Sequence, residues 1–331
     1  MKKESRDDPG MSTKSHVSSA KPYFSGSFIQ SWYCQDWDIK RWHQELSMLR
    51  DIGITEIIIQ STVNTANADK YASYPSKIAG CRSNDVDLLA HVLMAADDLT
   101  MKVRIGTGEN HEWWKKGVWW KKGAWDRAWL LNEAKENIAI VEEIAEKYTT
   151  HFSFAGWYIP YEIYNITAIT RRKQADLNAF FKSIVNAMKI RTPEKTVMVS
   201  PFYNSKLSIL GPLANWTKAL TNIFIGTGVD IIALQDSIGV GYNQVSQLEN
   251  IFTYTQKAAQ AVGAVLYANN ETFALTDAGN VPATQRRITL QIEKVRAYVA
   301  GYVAFSLSHY QNKYRETNSY MDYKNYYLSK L

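Results

Sequence analysis

Apolar and polar positions along the chain follow two alternating rhythms. Short runs rich in β-branched or aromatic residues, of the kind that fill buried strands, are separated by longer stretches whose apolar residues recur with helical spacing. The runs GSFIQS (26–31), ITEIIIQ (54–60), KVRIG (102–106), FSFAGWYI (152–159), TVMVS (196–200), VDIIALQ (229–235), GAVLYA (263–268) and YVAFSL (302–307) predict eight strands. Helices are predicted in the gaps, most clearly over 39–51, LLAHVLMAADDL, AWLLNEAKENIAIVEEIAEKY and ADLNAFFKSIVNAMKI, and a short aromatic segment comes last.

Eight consecutive βα units within 331 residues predict an α/β fold, a single-domain (β/α)8 TIM barrel over residues 23–331. Residues 1–22 are polar, rich in Ser and Lys, and lack the apolar stretch of a signal peptide, so they are expected to form a disordered tail or linker. A doubly wound nucleotide-binding sheet is disfavoured, because the first strand runs into GSFIQSWYCQDW without a G-x-G-x-x-G turn. The GTG at Gly106–Gly108 and the GVG at Gly239–Gly241 lack the third glycine, and no phosphate-cradling loop is indicated.

In such a barrel the chemistry sits where the strands end at their C-terminal side. The residues there are polar and aromatic: Gln30 and Trp32, Gln60, then Arg104, Glu109 and His111, Glu162 in GWYIPYEIYN, Gln235 and Asp236, Asn269, Asn270 and Glu271, and Ser308, His309 and Tyr310. A single glutamate at a strand end is more often a helix-capping partner or a surface charge than a catalyst. Glu162 and Glu271 form a pair on nearly opposite sides of the mouth, which suits glycoside hydrolysis by one acid and one nucleophile. Burial beside Trp157, Tyr158 and Tyr161 is expected to raise the pKa of Glu162, whereas Arg104 and the asparagines near Glu271 are expected to keep that carboxylate ionised. Asp236 either binds a sugar hydroxyl or caps the next helix, and His309 is either a substrate contact or a hydrogen-bonded structural residue.

Composition then narrows the partners. A net charge of +6, spread among acidic residues, argues against a dedicated nucleic-acid binder. The one concentration of positive charge is WWKKGVWWKKGAW (113–125), where indoles beside ammonium groups could stack bases, meet a membrane surface or line a sugar platform. Its place after the third strand favours a sugar platform built from Trp113, Trp114, Trp119 and Trp120, while Trp125 and Trp129 are expected to pack. No apolar run approaches the length of a membrane span, so stable membrane insertion is not expected. Cys34 and Cys81 are far apart without C-x-x-C spacing, His111-Glu112 does not continue to H-E-x-x-H, and no G-x-S-x-G elbow occurs. Neither a metal nor a cofactor is expected, since side chains carry the charges the chemistry needs.

YIPYE at the fourth strand and YANNE at the seventh resemble the clan of retaining (β/α)8 glycoside hydrolases that includes the family 5 cellulases. GSFIQSW, ITEIIIQ, IIALQDSIGVG, ANNETF and SLSHYQ are more closely similar to an uncharacterised bacterial barrel family regarded as candidate glycosidases, and to the endoglucanases associated with clostridial cellulose synthase. The resemblance covers about residues 24–312. It implies that Glu162 is the acid/base, Glu271 the nucleophile and Arg104 a residue that steadies the nucleophile. One departure is plain: the clan has Asn before the acid/base, where it touches the sugar 2-hydroxyl, and here Tyr161 stands there. The expected activity is that of a retaining endo-β-1,4-glucanase, monomeric, acting on a β-linked polysaccharide outside the cell or at its surface. A hydrolase of another β-glycan such as mannan, and a carbohydrate-binding barrel without catalysis, are the alternatives.

Overall fold

A computed structural model describes residues 21–114 and 123–331. Eight parallel strands close into a barrel in sequential order: β1 (Gly26–Ile29), β2 (Glu56–Ile59), β3 (Lys102–Gly106), β4 (Phe154–Ile159), β5 (Thr196–Val199), β6 (Ile231–Gln235), β7 (Val265–Glu271) and β8 (Gly301–Phe305), with β8 pairing β1. After each comes a helix: α1 (Ile39–Arg50), α2 (Leu88–Leu99), α3 (Arg127–Tyr148), α4 (Arg171–Arg191), α5 (Leu213–Phe224), α6 (Leu248–Val262), α7 (Gln285–Val295) and α8 (Thr317–Leu328). The predicted (β/α)8 architecture is the one observed. The expected tail over 1–22 lies outside the described residues except for Lys21 and Pro22.

Side chains alternate across each strand, and this divides the molecule into two apolar bodies. Phe28, Ile58, Tyr158, Met198, Ile231, Ala233 and Val303 point inward and fill the barrel, with Tyr267 and Phe305 against them. Their neighbours in sequence, among them Ile57, Ile59, Val103, Ile105, Trp157, Val197, Val199, Ile232 and Leu234, point outward into the layer shared with the helices. Several helices start where a short polar side chain takes an exposed amide: Asp38 accepts from Arg41 N, Asp87 from Ala90 N, Thr170 from Lys173 N and Thr284 from Arg287 N.

The base of the barrel is sealed by charge as well as by apolar packing. Arg104 lies inside, 3% exposed; Nε donates to Glu56 Oε1 at 2.9 Å, Nη1 to the Trp157 and Thr196 carbonyls at 3.2 and 2.9 Å, and Nη2 to Thr196 Oγ1 at 3.1 Å. Gly156 makes room, since a Cβ there would overlap the guanidinium. Glu56 and Thr196 open their strands, so Arg104 reaches toward the N-terminal end, away from the mouth. The expectation that it steadies Glu271 is therefore corrected: the long side chain extends to the base, where a carboxylate and carbonyls await it.

Two additions at the mouth are absent from the sequence reading. Strands Val63–Ala66, Asp69–Ala72 and Cys81–Ser83 join Gly108–Asn110 in a small sheet over β2 and β3, turning through Asn67 and Ala68, both at positive φ. A hairpin of Phe273–Thr276 and Gly279–Pro282 follows β7.

Candidate active site

The inward parity of β6 and β7 continues to their last residues: Gln235 pairs with Asn269, and Glu271 emerges one pleat above that pair. Beyond β4 the alternation of sides continues: Tyr158 lies inside the barrel, Tyr161 turns out toward α3 and Glu162 reaches the cleft. The two glutamates share a cleft of about 360 Å³ lined also by Trp114, Phe202, Gln235, Ser237, Val240, Tyr242, Phe273 and Phe305.

Their environments differ. Glu162 accepts from Gln235 Nε2 at 2.8 Å, and the indole of Trp113 holds its backbone carbonyl at 2.7 Å. Burial pushes its carboxyl up to about 7, with the Gln235 bond opposing and nearby Glu109 adding to the rise. Glu271 is buried, and its Oε2 accepts from the Val240 amide at 2.8 Å, with the Gly239 amide beside it. Gly239 is needed there, because a Cβ would overlap the Phe273 carbonyl and press on the Glu271 carboxylate at 3.0 Å. Burial, then the Asp236 charge, raises the Glu271 pKa, while the two amides pull it down. This differs from the expected ionising environment, since Arg104 faces the opposite end and Asp236 stands close behind.

Asp236 is fully buried beneath the loop after β6. It accepts from Asn270 Nδ2 at 2.8 Å, Gln291 Nε2 at 2.5 Å and the amides of Ile238 and Glu271, each at 3.2 Å. Arg287 Nη2 donates to the Glu271 carbonyl at 2.9 Å on the same side. Asp236 thus ties the β6 loop to β7 and α7 and has no face left for a sugar hydroxyl, which corrects its placing among substrate contacts.

The aromatic expectations divide. Trp114 is 44% exposed and belongs to a near-parallel floor: Tyr164 stacks on Phe202 at 5.1 Å and 4°, Phe202 on Tyr242 at 6.0 Å and 29°, and Trp114 lies 6.3 Å from both Tyr164 and Phe202. Trp113 is buried, packed on Tyr161, Phe180 and Trp129, and so supports the Glu162 backbone instead of forming platform surface. Tyr161 points away from the cleft to α3, donating to Glu133 Oε1 at 2.5 Å and accepting from Asn137 Nδ2 at 3.1 Å; as a substrate contact it is corrected for the same reason of parity. Trp119 and Trp120 lie outside the described residues.

The remaining predicted contacts sit apart from the cleft. Asn269 is buried one pleat below Glu271 and donates to Ser200 Oγ at 2.9 Å. Gln30 is half-buried at the end of β1, its carbonyl taken by the Tyr33 amide. Exposed Trp32 lies 5.6 Å from His309, whose ring is 4.3 Å from Tyr33; burial, then Arg315, lowers the His309 pKa to about 4, so the imidazole is neutral. Gln235 alone of the predicted polar contacts, besides the glutamates, lines the cleft. Sequence reasoning passed over Phe202, Tyr242 and Phe305, although period-two counting from Met198 and Val303 would have found the first and third. Among the described residues no group of three or more His, Cys, Asp or Glu is placed to hold a metal ion, and no helix is long and apolar enough to cross a membrane.

A family model described as a domain of unknown function, DUF4434, matches residues 24–317. No curated protein matches the chain. Among solved structures, a candidate alpha-L-fucosidase from Bacteroides thetaiotaomicron superposes with a TM-score of 0.75 at 22% identity, over 92% of this chain and 95% of that one. An endo-1,4-beta-mannanase from Rhizomucor miehei gives 0.57 at 13% identity over 86% of each chain. A family 18 chitinase from Pseudoalteromonas aurantia gives 0.54 at 12% identity, covering 92% of this chain and 99% of that one. At these identities the likeness is one of fold.

Proposed function

The chain belongs to the DUF4434 family, and from that premise we propose that it is a retaining glycoside hydrolase of β-linked glycans, an endo-β-1,4-glucanase in its finer assignment. The observation that carries the reading is the pair of glutamates from β4 and β7 in one cleft, beside a floor of stacked rings. Flat aromatic faces match the apolar C–H faces of pyranose rings. The solved structures of similar fold carry names of carbohydrate-cleaving enzymes, which supports the general class.

In the proposed mechanism a Glu271 oxygen attacks the anomeric carbon as the bond to the departing oxygen breaks, and that oxygen takes the Glu162 proton. Glu162, now a carboxylate, accepts a proton from water, whose oxygen displaces Glu271 from the sugar. The amides of Val240 and Gly239 hold Glu271 still and favour its charged form. With one proton on the pair, the productive arrangement places it on Glu162. Trp114, Tyr164 and Phe202 come from the loops around Glu162, so the floor lies on the acid's side and receives the leaving-group sugars. A polymer substrate of this kind places the enzyme outside the cell or at its surface.

The test is reducing-end release from a panel of soluble β-glucans and mannans by wild type, Glu162→Gln and Glu271→Gln. Cleavage of one polymer, lost in both variants, is the expected result and names the glycan. Saturable binding without product would make the barrel a carbohydrate-binding scaffold.

A further inference from the structure

Gln235 holds its place by two hydrogen bonds from one nitrogen. Nε2 donates to the Ser200 carbonyl at 2.9 Å and to Glu162 Oε1 at 2.8 Å. A backbone carbonyl can only accept, so the Ser200 bond fixes which end of the amide faces it. The nitrogen's other hydrogen is then directed at Glu162. An oxygen that accepts this N–H is a poorer place for the acid's own proton, because the O–H oxygen of a carboxylic acid is a weaker acceptor than its carbonyl oxygen.

We propose that Gln235 is a positioning residue that reserves Oε1 of Glu162 as an acceptor and thereby confines the catalytic proton to Oε2. This rests on the glycosidase reading above and deepens it. The Ser200 carbonyl sets the amide orientation, the amide sets the carboxyl, and the carboxyl presents its proton in one direction only. Ser200 is held in turn: its hydroxyl donates to the Ala233 carbonyl at 2.7 Å and accepts from Asn269 Nδ2 at 2.9 Å. The chain of bonds therefore crosses β5, β6 and β7 before reaching the acid on the β4 loop. It holds in both halves of the reaction, because Oε1 accepts whether Glu162 is the acid or the carboxylate base.

The titratable groups facing Glu162 among the described residues are Glu109 after β3, Tyr158 on β4 and Glu271 on β7. The Gln235 bond lowers the Glu162 pKa. Its removal therefore raises that pKa and moves the alkaline limb of the pH profile to higher pH.

The experiment compares Gln235→Met, close in length but without a donor, and Gln235→Glu with wild type on two substrates sharing a cellobiosyl unit: cellotetraose and 2,4-dinitrophenyl β-cellobioside. The second has a leaving group that departs without protonation. If Gln235 positions the acid, kcat for cellotetraose falls about a hundredfold, the scale of a general acid's contribution. The ratio of cellotetraose to dinitrophenyl turnover falls with it, and the alkaline limb moves upward in Gln235→Met. Equal losses on both substrates, carried by KM with the limb unmoved, would make Gln235 a sugar contact and overturn the proposal while leaving the glycosidase reading intact. Wild type that turns over neither these substrates nor any polymer of the panel would overturn the glycosidase reading and the proposal with it. Thermal melts of both variants check the fold, and a variant that melts like wild type yet keeps full cellotetraose turnover also overturns the proposal.

Discussion

At the base of the barrel Arg104 is enclosed by Glu56, Thr196 and two carbonyls, so the charge buried there has a hydrogen-bonding partner on every nitrogen. At the mouth, on the same set of strands, Glu162 has among the described residues the single donor Gln235, Glu271 has two amides, and both pKa values are raised. A saturated charge stabilises a shape and has nothing left to offer a ligand. An under-supplied carboxyl in a cleft is poised to exchange protons and to accept whatever the substrate brings.

The comparison breaks most severely at Glu271. Glu271→Gln should lower turnover about a thousandfold or more, about 4 kcal/mol of transition-state stabilisation, in a reducing-end assay, while leaving the melting temperature no lower than wild type. Arg104→Met addresses the other end. It leaves the partly exposed Glu56 carboxylate at the barrel base without its partner and should cost about 3 kcal/mol in a urea titration, with kcat of the folded fraction within about twofold of wild type. A loss of turnover without loss of stability would return Arg104 to the catalytic side.

Glu162 sharpens the contrast through pH. Its folded pKa lies above the ordinary glutamate value, so its stabilising contribution is complete below that value and is lost as pH rises from about 4.5 to about 7. Glu162→Gln should therefore melt higher than wild type at pH 8 but not at pH 4. The gain is about 1–3 kcal/mol after discounting for the water the cleft admits. In wild type the alkaline limb of kcat/KM should fall near 7, well above a solvent-exposed carboxylate. The smallest effect is at the floor. Trp114→Ala should raise KM for polysaccharide about fivefold to tenfold, about 1 kcal/mol, with a lesser change in kcat.

The barrel and its two glutamates were legible because buried strands and helices repeat their periods, and because eight such units close in one way. Direction along the pore was not. Arg104 sits mid-strand with a side chain long enough to reach either end, and only the position of Glu56 decides between them. Tyr161 and Asp236 illustrate a different loss: period-two counting places both outside the cleft, yet adjacency to Glu162 and Gln235 suggests the opposite. The small sheet over 63–83 stayed hidden because its first turn uses Asn67 and Ala68 without a glycine, and Ala at positive φ carries no sequence signal.

The described ends of the chain meet at the base. The Phe24 amide donates to the Tyr323 hydroxyl at 3.0 Å, and Tyr326 donates to the Pro22 carbonyl at 2.5 Å, so α8 and the entry to β1 are tied together beneath the barrel. A linker, bead or fusion partner attached after Leu331 would therefore hang from the side opposite the cleft. Immobilised through that end, the barrel would stand with its mouth facing outward, open to a polymer too large to enter between the protein and its support.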